Sequence, residues 1–350
     1  MSTTVTYSDE ELATLTQIRV AKLRDNFSKA TRFADKVLSR PPMDDGGKQI
    51  NIPFKYRRHS APTRVRTGFE QVNLSFQPNM ISMIAGLGCT VRPAGIGLID
   101  DITNRGKEAV LNLATERAAD AERGHMEDFE QQFLQSGVTA LADFISVNGD
   151  DDTTGIVESA AVGSQDNTIQ GISKSTYSTL PGMQNQIYDA GGSFATGGMI
   201  GLDSIQSNVR NALNAGDADW LAFCTLQFSQ NWNRVNSSLE QYVNVAGQKQ
   251  AGGAEYGAQI EFLVKGFKTT VSRYMPTAGT ATTTKPWSWL LIDFNSIIWR
   301  GRKGYVKQVT PWTSMNPAGN LARVMWITTA GQMTFENLET SGVLVDAQTW

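Results

Sequence analysis

The sequence predicts an α+β fold built around one long helix, on three observations. Apolar residues keep roughly helical spacing from about Leu98 to Gln135, well past the roughly 11–12 residues of an average helix. Several short runs alternate with the period of two that marks a strand. All eight Trp lie from Trp220 onward. Large aromatics dominate core burial, so the core is expected from the later part of the chain, with the first hundred residues acting as arms. A chain of 350 residues has room for one large domain or two ordinary ones.

In chain order, Ser8 and Glu11 form a capping box that opens a helix. Val20, Leu23, Phe27, Ala30, Ala34 and Val37 follow as one helical stripe, stopped by Pro41 and Pro42. That stripe can dock on its own core or on a neighbour. In 46–56 (GGKQINIPFKY), Ile50, Ile52, Phe54 and Tyr56 share one strand face, and Pro53 marks an edge or a bulge. A second alternating run, Val72, Leu74 and Phe76, is its expected return strand. Between them, 57–68 (RRHSAPTRVRTG) is a polar, basic tip. A lone two-stranded hairpin is marginal in water, so this one needs a surface to lie on.

A Gly-broken strand over 80–91 precedes the long helix, whose thin apolar stripe suggests a strut across a surface and which has a stop at Gly137. Residues 146–200 read as a loop-rich connection with weak strand signals at 155–157 and 168–172. Helices are expected at 202–215 and 226–235. The first helix leads into an apolar run at 220–223, and strands are expected at 257–264, 269–273, 287–292, 304–312, 321–327 and 332–335.

Charge is 19% of the chain, below the roughly 25% usual in soluble domains, and it is segregated. Residues 1–70 hold 13 Lys+Arg and 8 Asp+Glu, a net +5; residues 99–170 hold 4 and 15, a net −11. Such asymmetry speaks to partners: either two solvated faces, or a basic part of one chain meeting an acidic part of another. The longest apolar stretch, 287–299, carries polar residues and is too short for a bilayer. No basic segment followed by an apolar run opens the chain, so no secretory signal is expected. Cys89 and Cys224 are too few for a disulfide scaffold or a Cys-rich zinc site, which fits synthesis in a reducing compartment.

Catalytic signatures are missing. His59 and His125 lack metal-spaced partners. Asp150 to Gly155 begins like a calcium loop, but the twelfth position is Ala161 where a Glu is required. There is no phosphate-binding loop and no nucleophile elbow; Gly95 and Gly97 lack the rest of a dinucleotide fingerprint. No catalytic residue, cofactor or metal is assigned, and the expectation is a non-enzyme.

The order of elements, from helical arm through GGKQINIPFKY strand, basic hairpin, long acidic helix and loop-rich turn at 149–155 to a β-rich end, resembles the major capsid protein family of tailed bacteriophages over nearly the whole chain. Gly46-Gly47 with Ile50, Ile52 and Pro53 looks like the start of the family's extended loop, and residues 99–136 like its spine helix. Gly171-Ile172 with Ser173 and Lys174 is similar to a recurring Gly-Ile-Asp-Arg element whose last two residues are replaced here. VTPWTSM at 309–315 looks like the return into the peripheral domain. The return strand of the loop lacks the Trp found in many relatives. No pattern supports a Lys–Asn crosslink through Lys48 or Lys55.

The resemblance implies an N-terminal arm (1–45), an extended β-hairpin loop (46–78), a peripheral domain (79–180) with a spine helix (about 98–136), a mainly axial domain (181–300) and C-terminal strands returning to the peripheral domain (301–350). It implies a subunit that self-assembles into pentamers and hexamers of an icosahedral shell enclosing double-stranded DNA, assembled in the host cytoplasm and residing in the virion capsid. Implied partners are other copies, a portal, and a separate scaffolding or decoration protein or none; a membrane is not among them. In that fold the loop of one subunit lies over its neighbour. This would bring Lys55, Arg57, Arg58, Arg64 and Arg66 near Asp100, Asp101, Glu108, Glu116 and Asp120, and further along the helix Glu122, Glu127, Asp128 and Glu130. Arg19, Lys22 and Arg24 of the arm would face DNA, contacted without sequence preference. A same-fold nanocompartment enclosing protein cargo is the near alternative; a soluble α+β enzyme or ligand-binding protein with a site in 180–300 is the distant one.

Overall fold

The computed structural model describes residues 31–39, 43–55, 59, 68, 71, 75–97, 113–135, 138–141, 143–149, 155–161, 163–178, 182–212, 215–239, 261–276, 285–314 and 322–350. The capping box at Ser8 and most of the arm stripe lie outside them. The end of that stripe is helix α1 (Arg32–Ser39). An isolated helix of eight residues is far too short to persist in water, so α1 depends on docking. It docks on its own chain: Phe33, Ala34, Val37 and Leu38 are all buried.

Two six-stranded sheets organise the chain. The first holds β1 (Met43–Asp44), β4 (Gly88–Gly97), β12 (Ile297–Arg302), β13 (Gln308–Val309), β14 (Thr313–Ser314) and β15 (Ala322–Phe335). Its backbone is β15, which pairs antiparallel with β4 over ten residues, Ala322↔Gly97 to Gly331↔Gly88. The two strands expected at 321–327 and 332–335 are thus one. Thr328, Thr329, Ala330 and Gly331 interrupt the apolar pattern without interrupting the strand. Gly331 is required there, because a Cβ would stand 2.7 Å from the Trp299 indole and 2.5 Å from the Arg300 carbonyl oxygen. The strand expected at 304–312 is only β13, with β14 just beyond it.

The second sheet runs β7 (Gln186–Asp189), β16 (Gly342–Val345), β11 (Trp287–Asp293), β8 (Trp220–Cys224), β10 (Phe267–Val271) and β9 (Glu261–Val264). β11 is buried at every position, which is why Trp287, Trp289, Leu290, Leu291 and Ile292 do not alternate with exposed polar residues; its two polar residues, Ser288 and Asp293, are buried as well. A register shift between Trp287 and Trp289 turns Trp287, Leu290 and Ile292 to one core and Trp289 and Leu291 to another.

That other core lies under α3 (Met199–Asn211) and α4 (Leu226–Leu239), through Leu202, Ile205, Val209, Phe228 and Trp232. The larger core joins Phe33 and Val37 of α1 with Met126, Phe129 and Phe133 of α2 (Leu113–Gln135), and with Phe144, Phe223, Trp299 and Phe335. Its residues run from 33 to 345, so the early segments are part of the core rather than arms alone. The described α2 is 23 residues, about 35 Å at 1.5 Å per residue. It is not only a strut. Ala118 and Ala121 lie against the first sheet, but Phe129, Phe133 and Leu134 are fully buried. Gly124 does not break it; the Arg92 guanidinium lies where a Cβ would stand, at 2.6 Å.

Candidate assembly surfaces

The period-two run does form a strand, β2 (Gln49–Lys55), whose partner is β3 (Met80–Gly86); Val72 and Leu74 of the expected return strand lie outside the described residues. The register runs from Gln49↔Gly86 to Lys55↔Met80. The expected Gly-broken strand is therefore two strands with different partners, β3 for the hairpin and β4 for the first sheet, parted at Leu87. One face of the hairpin, Ile50, Ile52, Met83 and Ala85, is buried in the larger core. The other carries Asn51, Pro53 and Lys55 opposite Ile84, Ser82 and Met80, all exposed. Ser82 hydrogen-bonds Asn51 across it.

The antiparallel approach recurs farther out. The Gln77 amide donates to the His59 carbonyl at 3.0 Å, His59 Nδ1 meets the Gln77 carbonyl at 2.8 Å, and the His59 and Phe76 rings stack at 5.1 Å. Phe76, Met80 and Ile84 are 65, 61 and 49% exposed, a large apolar load for a wet surface.

Of the basic residues expected at the loop, Lys55 is exposed at the end of β2; Arg57, Arg58, Arg64 and Arg66 lie outside the described residues, as do Arg19, Lys22, Arg24, Asp100, Asp101 and Glu108. On α2, Asp120 and Glu122 are exposed and Glu116 and Glu127 half-buried. Two acidic residues have other work. Asp128 pairs with Arg92 beneath the first sheet. Glu130, expected on the outer stripe, is 1% exposed, and its Oε2 accepts the Ala34 amide of α1 at 2.7 Å. Sequence spacing could not separate these, because a helix with a polar outer face and a polar buried contact shows the same residue types on both.

Polar chemistry inside the fold is structural. Lys174, at the position where the family element has Arg, is fully buried. Its Nζ donates to Glu158 Oε1 at 2.9 Å, the Ile156 carbonyl at 2.9 Å and Asn185 Oδ1 at 3.3 Å. Asn185 Nδ2 donates to the Glu158 carbonyl, and Gln165 and Asn185 exchange two bonds. Asn167 Nδ2 ties Gly149 to Gly155 across the polar turn. Gln170 and Gly171, both with positive φ, turn β5 (Thr168–Ile169) into β6 (Ile172–Ser173), the geometry of a type I′ hairpin. His125 Nε2 lies 2.9 Å from Thr329 Oγ1. Burial, with the nearby charges of Arg92 and Lys307, lowers its pKa to about 4. Cys89 is exposed and Cys224 buried; burial pushes the Cys224 thiol well above its ordinary range. Among the described residues, no three His, Cys, Asp or Glu side chains are grouped to hold a metal, and no helix is long and apolar enough to cross a membrane.

No protein-family model matches the sequence, and no curated protein matches it. Solved structures do. A chain of the cyanophage A-1(L) capsid asymmetric unit superposes with a TM-score of 0.68 at 13% identity, covering 98% of this chain and 99% of that one. A chain of the capsid of a native GTA particle gives 0.60 at 8%, covering 97% of each. The capsid of cyanophage P-SCSP1u gives 0.56 at 13%, covering 97% of this chain and 95% of that one. The shared property is the fold: a mixed α+β chain folded, over nearly its full length, as phage capsid subunits are.

Proposed function

We propose that this protein is a major capsid subunit that assembles with copies of itself into an icosahedral shell of pentamers and hexamers around double-stranded DNA. The observation that carries the reading is the end-to-end match in shape with phage capsid chains. The hairpin supports it, with one face seated in its own core and the other presenting Phe76, Met80 and Ile84 outward. The chain divides in this reading into the arm, loop, peripheral, axial and returning segments that the sequence suggests. Lys55, Arg57, Arg58, Arg64 and Arg66 of one subunit meet the outer acidic residues of a neighbour, Glu116 and Asp120 among them. Arg19, Lys22 and Arg24 face the packaged DNA. A portal and a scaffolding or decoration protein complete the particle in the host cytoplasm, and the role is structural rather than enzymatic.

Negative-stain microscopy of the purified protein, with the nucleic-acid content of any particles, tests this. Closed shells or capsomers are expected. A compact 38.2 kDa species at every concentration and salt would overturn it, and shells that hold only protein cargo in the infected or expressing host would point to the nanocompartment.

A further inference from the structure

We propose that Lys174 and Asn185 join through their side chains as an amide within one chain, with Glu158 as general base and ammonia as leaving group. The groups that hold the buried polar cluster together are also arranged for that step. Lys174 and Asn185 are fully buried and Glu158 nearly so, so water is kept from the reacting atoms. Lys174 Nζ stands 2.9 Å from Glu158 Oε1 and 3.3 Å from Asn185 Oδ1. Oδ1 is bonded to Cγ, the carbon to be attacked, so nucleophile and electrophile are neighbours before any reaction. The Asn185 amide is held at both ends. The Glu158 N–H donates to Oδ1 at 3.2 Å, and Nδ2 donates to the Glu158 carbonyl at 2.8 Å. This reciprocal pair fixes which end is the carbonyl. It also places a backbone N–H beside the oxygen that gathers charge in a tetrahedral adduct. Gln165 grips the Asn185 backbone by its N–H and its carbonyl.

The step balances without a co-reactant. The Lys174 ammonium passes one proton to the Glu158 carboxylate, its ion-pair partner. Rotation about Cε–Nζ then turns the freed lone pair to Asn185 Cγ, and the Nζ–Cγ bond forms. The Cγ–Nδ2 bond breaks with its electron pair on nitrogen. Nζ loses two protons in all, by way of Glu158. One goes to Nδ2, which leaves as ammonia, and the other leaves with it as ammonium. Glu158 ends as it began, a carboxylate that accepts the Asp166 and Asn167 amides. Nothing is oxidised or reduced. Lysine suits the position for this purpose. An Arg would keep the charge pair with Glu158, but its guanidinium stays protonated and has no pair to give.

The bond would tie two parts of the fold. Lys174 follows β6 and Asn185 precedes β7, an edge strand of the second sheet, and they are 11 residues apart in sequence. An amide between them closes that loop and fixes the β5–β6 hairpin to the sheet edge. The tie lies within one subunit, needs no assembly and does not rest on the shell reading.

Intact mass spectrometry of the denatured full-length chain tests the bond. The wild type should be lighter than its sequence by one ammonia. Lys174→Arg, which keeps the charge pair, and Glu158→Gln, which removes the base, should show no such loss. A chymotryptic digest locates the change, because Tyr177 and Met183 lie between the joined residues. Fragment spectra should show two peptides linked through Lys174 and Asn185. A wild type at its full sequence mass overturns the proposal, whether or not either variant folds. So does an ammonia loss that maps elsewhere, as to a succinimide at Asn148-Gly149. A loss that persists at Lys174 and Asn185 in Glu158→Gln overturns the role given to Glu158.

Discussion

Two buried side chains, Lys174 and His125, set the residue-scale behaviour. Lys174 was legible as a departure from a family element, and the turn at Gln170-Gly171 before it was legible from Gly171. Its role was not, because Glu158, Gln165 and Asn185 are scattered in sequence and meet only in the fold. Removing one member of such a pair leaves an unpaired charge inside the protein, typically a loss of about 3–5 kcal/mol. Lys174→Met should lose that much in denaturant unfolding, somewhat tempered because Glu158 also accepts the Asp166 and Asn167 amides. A change under about 1 kcal/mol would mean that water reaches Glu158 once the Lys174 ammonium is gone. His125 gives a pH prediction. Its pKa is lower folded, about 4, than unfolded, about 6.5. Its contribution is full above pH 6.5 and is lost as pH falls toward 4, by up to about 3 kcal/mol. His125→Gln should remove that slope. Unfolding free energies of both proteins at pH 6.5 and 4.5 measure it, and the Glu130 contribution, common to both, cancels in the comparison. Equal slopes would place His125 in water in the native state.

At the scale of elements, what sequence could read was periodicity, and what it missed was pairing. β2 was legible from Ile50 and Ile52, α3 and α4 from their apolar spacing, and β11 from a short apolar run; β8 showed only as an apolar run with no strand assigned. The partner of β2 was missed because MISMIAG alternates poorly, its outward residues Met80 and Ile84 being as apolar as its inward ones; Val72 and Leu74 of the run expected there lie outside the described residues. β12 (IIWRGR) was missed because Arg300, Gly301 and Arg302 mask a strand whose odd positions are buried. β16 and β7 were missed because four-residue strands carry too little period to detect. Gly331 tests the β12–β15 junction. In Gly331→Ala the new methyl meets the Arg300 carbonyl and the Trp299 ring at once, neither of which can swing away. Trp299 itself packs on Phe129, Phe133 and Phe144 at 5.2–5.8 Å. Overpacking of this kind costs about 1–3 kcal/mol, and the loss should appear as a lower melting temperature with a changed Trp fluorescence. An unchanged melting temperature would mean that the ladder between these strands is looser than its register.

For the whole molecule, the charge asymmetry is the feature on which the proposed assembly would turn. The acidic helix is not a uniform stripe: Asp128 and Glu130 are spent internally, leaving Glu116, Asp120, Glu122 and Glu127 toward solvent to different degrees. Any exposed ion pair is worth about 0–1 kcal/mol, so no single pair would hold two subunits. A lattice subunit repeats its contacts, and complementary charge acts mostly on encounter rate and register, so assembly kinetics should respond more than pair energies suggest. Arg64→Glu with Arg66→Glu should slow or misdirect assembly, followed by light scattering, while circular dichroism shows an unchanged fold. The effect should be largest in low salt, because screening at about 0.15 M already confines such charges to roughly 8 Å. Glu116→Lys with Asp120→Lys, one turn apart on the same helix face, should restore part of the rate in the double-reversed protein and impair it in the wild type. That reciprocal pattern is what separates a specific contact from a general change in net charge, which would move both backgrounds the same way. If the double reversal assembles at the normal rate in low salt, the basic tip is a solvated loop. The docking register would then have to come from the apolar face of the hairpin, Met80 and Ile84, instead.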